Sequence, residues 1–206
     1  MRNNLFINNI MGYKKLRKNA GDLLKASYES QADAENRMSK KGYTYDKDLS
    51  SMESKVFVNK NGKPTIVQRG STRLSDWAED GLIAVGLGGL GNRQKKAIEL
   101  NKKVEEKYGR NADAIGHSLA GRLVENSGSH GNIITYNKAT GLGDIGKTFN
   151  KKQVDMKTVE DLPSALSNFQ NHNVEIVKQK EHSLNPFKEV WNAHNVDNLF
   201  PNASTT

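Results

Sequence analysis

The chain of 206 residues contains no cysteine. That single absence excludes disulfide scaffolds, thiolate metal sites and a cysteine nucleophile. Apolar residues are also scarce, at 35% hydrophobic with a mean hydropathy of −0.75, and no stretch approaches the roughly 18 apolar residues of a membrane span. The opening MRNNLFINNIMGYKK lacks the unbroken apolar core and small-residue cleavage site of a secretory signal. The expectation is an intracellular or virion-associated protein. The triplet Asn202-Ala203-Ser204 then reads as a polar tail, not a glycosylation acceptor.

Acid is missing from the first twenty residues, which hold Arg2, Lys14, Lys15, Arg17 and Lys18 among Leu5, Phe6, Ile7, Ile10, Met11 and Tyr13. Basic and apolar side chains together fit an anionic membrane surface. The net charge of +8 favours an anionic partner in general. No nucleic-acid reader motif accompanies the charge, so specific nucleic-acid recognition is not expected. Length and composition imply one domain, divided as a basic arm over 1–20, a single folded unit over 21–200 and a polar tail over 201–206.

Periodicity supplies the elements. Asn19–Met38 predicts a helix with Leu23, Leu24 and Tyr28 on one face. Val56–Val58 and Thr65–Gln68 flank Asn61-Gly62, a β-hairpin signal. Gln94–Tyr108 places Ala97, Leu100, Val104 and Tyr108 on one face of an amphipathic helix. A strand ending at Ile115, a helix to about Asn126, the strand Asn132–Tyr136, a polar loop, a helix around Leu162–Phe169 and the strand Val174–Lys178 follow. This alternation predicts an α/β fold, a mostly parallel sheet with helices on both faces and an N-terminal β-hairpin.

Gly116-His117-Ser118-Leu119-Ala120 falls between a strand and a helix. A serine on so sharp a turn leaves room only for small residues two positions to either side, and Gly116 and Ala120 meet that demand. The segment has the form of a nucleophile elbow, with the Leu119 amide facing the same point as the hydroxyl. Such a serine needs a base and an orienting acid, in chain order acid and then histidine. Asp144, Asp155 and Asp161 follow the Asn132–Tyr136 strand, and His182 and His194 follow the last strand. Neighbours on a strand point to opposite sides, which sets His117 aside as the base and makes it a buried, hydrogen-bonded support. His130 and His172 precede strands and belong to the other end of the sheet.

The stretch Gln68-Arg69-Gly70-Ser71 with Asp76, Trp77 and Asp80 resembles the "RGT…DW…D" signature of class 3 lipases. GHSLAG is similar to that family's GHSLGG, EDLPSAL to its acid-bearing segment and AHNVDNL to its histidine segment. The blocks run in the family's order from about Leu23 to Leu199. The resemblance implies an α/β-hydrolase fold with Ser118 as nucleophile, Asp161 as acid and His194 as base, and with Ser71 and Leu119 supplying the oxyanion hole. Asp155 and His182 stay open as alternatives, because only proximity in space chooses among them. Ala120 stands where the family carries glycine, Ser71 where it carries threonine, and the lid segment shrinks to Gly81–Asn92. Compact lipase-like proteins of large DNA viruses and their satellites are similar, which implies a viral member.

Gly86-Leu87-Gly88-Gly89-Leu90-Gly91 satisfies a dinucleotide-binding pattern. Yet the next strand ends in Gly116-His117 where that site wants an acid, so the segment reads as an apolar lid. No metal or organic cofactor is implied. The expected function is serine ester hydrolysis of an acyl lipid, of the triacylglycerol lipase or phospholipase A1 type. The alternative is a catalytically silent hydrolase fold, a binding or capsid-assembly protein whose basic arm holds an anionic partner.

Overall fold

The structure, a computed structural model, describes residues 2–70, 90–140, 146, 152–158, 173–178 and 195–196. The helices are α1 (Arg2–Tyr28), α2 (Gln31–Ser39), α3 (Leu90–Tyr108) and α4 (Leu119–Glu125). The strands are β1 (Tyr43–Tyr45), β2 (Ser54–Asn59), β3 (Pro64–Gln68), β4 (Asp113–His117), β5 (Ile133–Tyr136), β6 (Gln153–Lys157) and β7 (Asn173–Ile176). The seven strands form one sheet in chain order, antiparallel from β1 to β3 and parallel from β3 to β7. This is the α/β architecture with an N-terminal hairpin that the sequence predicts.

Ser30 splits the predicted Asn19–Met38 helix in two. Its backbone is extended (φ −60°, ψ 164°) and its hydroxyl accepts the Asp33 amide at 3.2 Å, so the side chain caps α2 at the expense of helical continuity. The hairpin turns at the expected place. Gly62 takes a φ of +73°, and Asn59 Oδ1 accepts the amides of Asn61 and Lys63. The boundary drawn at residue 20 falls inside α1, where Leu16 and Ala20 are buried.

Period-two alternation divides the core between the two sheet faces. Leu16, Leu23, Leu24 and Met38 of α1 and α2 cover Phe57, Val67, Ile115, Ile134 and Met156. On the other face Val104 packs with Val56 and Ile66, and Ala97 of α3 meets Ala120 and Leu123 of α4. The buried positions of α3 therefore follow its sequence periodicity.

Two strands lie outside the sequence expectation. The three-residue β1 adds to β2 at the antiparallel edge. The predicted polar loop after β5 contains β6, in which Gln153, Asp155 and Lys157 alternate with Val154 and Met156 and all five are buried. The polar side of β6 is made tolerable by partners. Asp155 Oδ1 accepts from Thr135 at 2.7 Å and from Gln153 Nε2 at 2.8 Å, and Asp155 Oδ2 faces Lys138 Nζ at 2.5 Å. Lys138 also pairs with Glu125 of α4. Buried charge survives where it is paired and hydrogen-bonded.

Among the described residues no helix is long and apolar enough to cross a membrane.

Candidate active site

Ser118 stands between β4 and α4 with φ 57° and ψ −128°. A non-glycine residue in that region is strained by about 1–3 kcal/mol, and the surroundings hold it there. The Ser118 amide donates to the Tyr136 carbonyl at 2.9 Å, while its own carbonyl accepts the amides of Gly121 at 2.9 Å and Ala139 at 3.1 Å. Asn137 also has positive φ, and its amide and Oδ1 tie it to Met156 and Thr158.

The small residues around the serine are a packing requirement. A Cβ on Gly116 would lie 2.3 Å from the Ala120 carbonyl oxygen, and one on Gly121 would lie 2.9 Å from Lys138 Cβ. Strand and helix cross this closely only because Gly116 has no side chain. The result is a serine whose side-chain oxygen is buried and has no hydrogen-bond partner among the described residues. Leaving a buried hydroxyl unpaired costs about 1–3 kcal/mol.

His117 points the other way, toward α1. It is 2% exposed, and its Nδ1 lies 2.9 Å from the Tyr28 hydroxyl. The same hydroxyl accepts the Gly70 amide at 3.0 Å, so it hydrogen-bonds the imidazole and the Gly70 backbone at once. Burial pushes the Tyr28 phenol up to about 12, against the smaller opposing pull of the Gly70 amide and of Arg69 and Arg93. His117 is thus the buried, hydrogen-bonded support that the sequence predicts.

Tyr28 is itself held firmly. The ammonium of Lys55 donates to the carbonyls of Ser27 at 2.9 Å and Glu29 at 2.7 Å, placing a cation at the negative end of α1. Arg37 adds ion pairs to Glu29 and Asp22. On the facing side Gly70 closes against Ser118, since a Cβ there would sit 3.3 Å from Ser118 Cβ and 2.8 Å from the His117 carbonyl oxygen. Arg93 of α3 holds the preceding carbonyl, Arg69 O, at 2.8 Å. Three distant segments therefore meet at the carboxyl end of β4, the end at which open α/β sheets carry their ligands.

Of the residues assigned from sequence, Ser118 and Leu119 lie at this elbow. The Leu119 amide belongs to the first turn of α4, where amides have no acceptor within the helix. Ser71, Asp161 and His194 lie outside the described residues, as do His182, His172 and Asp144 and the glycine-rich segment up to Gly89. Asp155 is engaged in mid-strand by Thr135, Gln153 and Lys138. His130 is exposed beside Glu105, ahead of β5. The supports Tyr28 and Arg93 carry no linear signal: 89 residues separate Tyr28 from His117.

No protein-family model matches the chain, and no curated protein matches it in sequence. Among solved structures the chain is similar to a mutant form of MDLA from Penicillium cyclopium, with a TM-score of 0.50 and 12% identity over 85% of this chain and 82% of that one. It also aligns with the native lipase–propeptide complex of Rhizomucor miehei, with a TM-score of 0.42 and 15% identity over 78% of this chain and 63% of that one. At 12% identity the first similarity is one of fold, and it agrees with the mostly parallel sheet and its flanking helices.

Proposed function

We propose that the chain is a serine ester hydrolase of the class 3 lipase type, with Ser118 as nucleophile. One observation carries this reading: a serine in a strained backbone conformation at the end of β4, its hydroxyl buried and unpartnered among the described residues. Strain and an unmet hydroxyl both cost stability, and such costs collect where a group is reserved for chemistry.

In the proposed reaction Ser118 Oγ attacks the ester carbonyl carbon while its proton passes to His194. Asp161 orients the imidazole and steadies its positive form, and Ser71 with the Leu119 amide holds the oxyanion. The leaving alcohol takes the proton from His194. Water then attacks the acyl-serine and gives a proton to His194, which passes it to Ser118 Oγ as the acyl–oxygen bond breaks and the acid leaves. The roles of Ser71, Asp161 and His194 come from the family resemblance and the chain order of the motifs. Val196, two residues beyond His194 in sequence, packs against the core cluster that Tyr28 also contacts. The substrate is an acyl lipid, either an acylglycerol or a phospholipid.

A fluorophosphonate probe followed by peptide mapping tests the assignment: label on Ser118 is expected in the parent and none in Ser118→Ala. With p-nitrophenyl esters the same substitution is expected to lower kcat by about 10⁶-fold. Hydrolysis by Ser118→Ala at the parent rate overturns the mechanism. Folded parent protein that takes no label indicates the catalytically silent alternative.

A further inference from the structure

At the end of the sheet opposite Ser118, the amino ends of β3, β4 and β5 and the approach to β6 open on a cavity of about 740 Å³. That is within the size range of small-molecule sites, roughly 300–1,000 Å³. Its lining is cationic. Lys15 comes from α1, Lys63 precedes β3, Arg110 follows α3 and Lys152 precedes β6, against the single carboxylate of Asp113.

The opposing acids are already engaged. Asp113 is buried, and its Oδ1 accepts from Lys63 Nζ at 2.5 Å and from the backbone and side-chain nitrogens of Asn132 at 2.8 and 3.0 Å. Glu105, behind His130, accepts the Ala112 amide at 3.1 Å and lies 3.2 Å from His130 Nδ1. Arg110 spends one N–H on the Asn61 carbonyl at 2.7 Å, and the rest of its donor fork remains for a ligand. Among the described residues neither Lys15 nor Arg110 has an ion-pair partner, and both are exposed. Lys152 donates to the His130 carbonyl at 3.0 Å, and the Arg110 guanidinium and Lys15 ammonium beside it are groups that match phosphoryl oxygens.

Position distinguishes a soluble ligand from a lipid headgroup. The five residues of β4 span about 13–17 Å between the cavity and Ser118, and the two lie at opposite ends of the sheet. A bilayer offering an ester to Ser118 lies on the far side of the molecule from Arg110; this step rests on the ester-hydrolase reading. We propose that the basin at the amino ends of the parallel strands is a binding site for a small soluble phosphate-bearing anion.

Calorimetric titration of the full chain with inorganic pyrophosphate, at constant ionic strength, tests the site. Saturable binding is expected, weakened about ten-fold or more in Arg110→Gln and in Lys15→Gln, since each removes a charge-assisted contact. Lys102→Gln, on the exposed side of α3, removes the same charge outside the cavity and is expected to bind as the parent does. Circular dichroism spectra matching the parent establish that each variant is folded. Absence of saturable binding, or equal binding in all three variants, overturns the proposal. So does binding to phosphatidylglycerol vesicles that Arg110→Gln abolishes while pyrophosphate does not bind, which assigns the basin to a lipid headgroup. Ser118→Ala is expected to bind pyrophosphate like the parent, so the anion site and the hydrolase reading fail separately.

Discussion

The hydroxyl of Tyr28 lies 2.9 Å from Nδ1 of His117 while accepting the amide of Gly70, so one phenol joins the amino-terminal helix to both chain segments that flank Ser118. Replacing it with phenylalanine keeps the ring and deletes the join. Tyr28→Phe deletes the hydrogen bonds to His117 Nδ1 and to the Gly70 amide, and the expected loss is about 1–3 kcal/mol. Urea denaturation measures it. Under the hydrolase reading kcat also falls more than KM changes, because Gly70 leads directly into the candidate oxyanion residue Ser71.

Glycine at position 118 separates strain from chemistry. Ser118→Gly relieves a left-handed backbone strain of about 1–3 kcal/mol against a chain-entropy cost of about 0.5–1 kcal/mol. It also removes the buried hydroxyl. A rise in Tm over the parent is expected, together with complete loss of fluorophosphonate labelling. A Tm lower than the parent's contradicts the strain assigned to φ 57°.

Adding one methyl group two residues earlier has the opposite effect. In Gly116→Ala the new Cβ meets the Ala120 carbonyl oxygen at 2.3 Å and the Gly121 nitrogen at 2.8 Å. Backbone atoms cannot rotate aside, so β4 and α4 must separate, at about 1–3 kcal/mol or more. Thermal unfolding followed by far-UV circular dichroism reads the loss, and an unchanged Tm contradicts the close crossing.

Glu125 provides a dependence on pH. Burial raises its pKa above the ordinary 4.5, outweighing the opposing effects of Lys138 and the Gln153 hydrogen bond. A carboxyl whose pKa is raised by folding favours the folded state fully below its unfolded value. That contribution is lost as pH climbs through the folded value. Glu125→Gln removes the titration, so the Tm difference, variant minus parent, is expected to become more positive as pH rises above about 4.5. A difference that shrinks over that range overturns the assignment.

The elbow was legible in sequence because its chemistry is local: Gly116, Ser118 and Ala120 are fixed by steric demands within five residues. The α3 stripe and the Asn61-Gly62 hairpin were readable for the same reason. β6 was not, because polar Gln153, Asp155 and Lys157 face the protein interior. The burial of Gln153 and Asp155 depends on Lys138, Thr135 and Glu125, residues no window around β6 contains. Ser30 ended the first helix through a side-chain cap that the apolar periodicity does not register. Tyr28 followed the helical stripe correctly, yet its hydroxyl's partners lie 42 and 89 residues away.

The attachment of α1 through Tyr28 and Lys55 has a consequence for how the chain can be cut or recombined. The segment before the hairpin is not interchangeable: a fragment starting at Ser30 would keep every described strand and the turn that carries Ser118. It would still lose the phenol that His117 and Gly70 share and both carbonyls that Lys55 clasps. Shuffling experiments that preserve the sheet but exchange the first 28 residues should therefore give folded proteins with a slackened elbow unless the new helix ends in tyrosine at the same point.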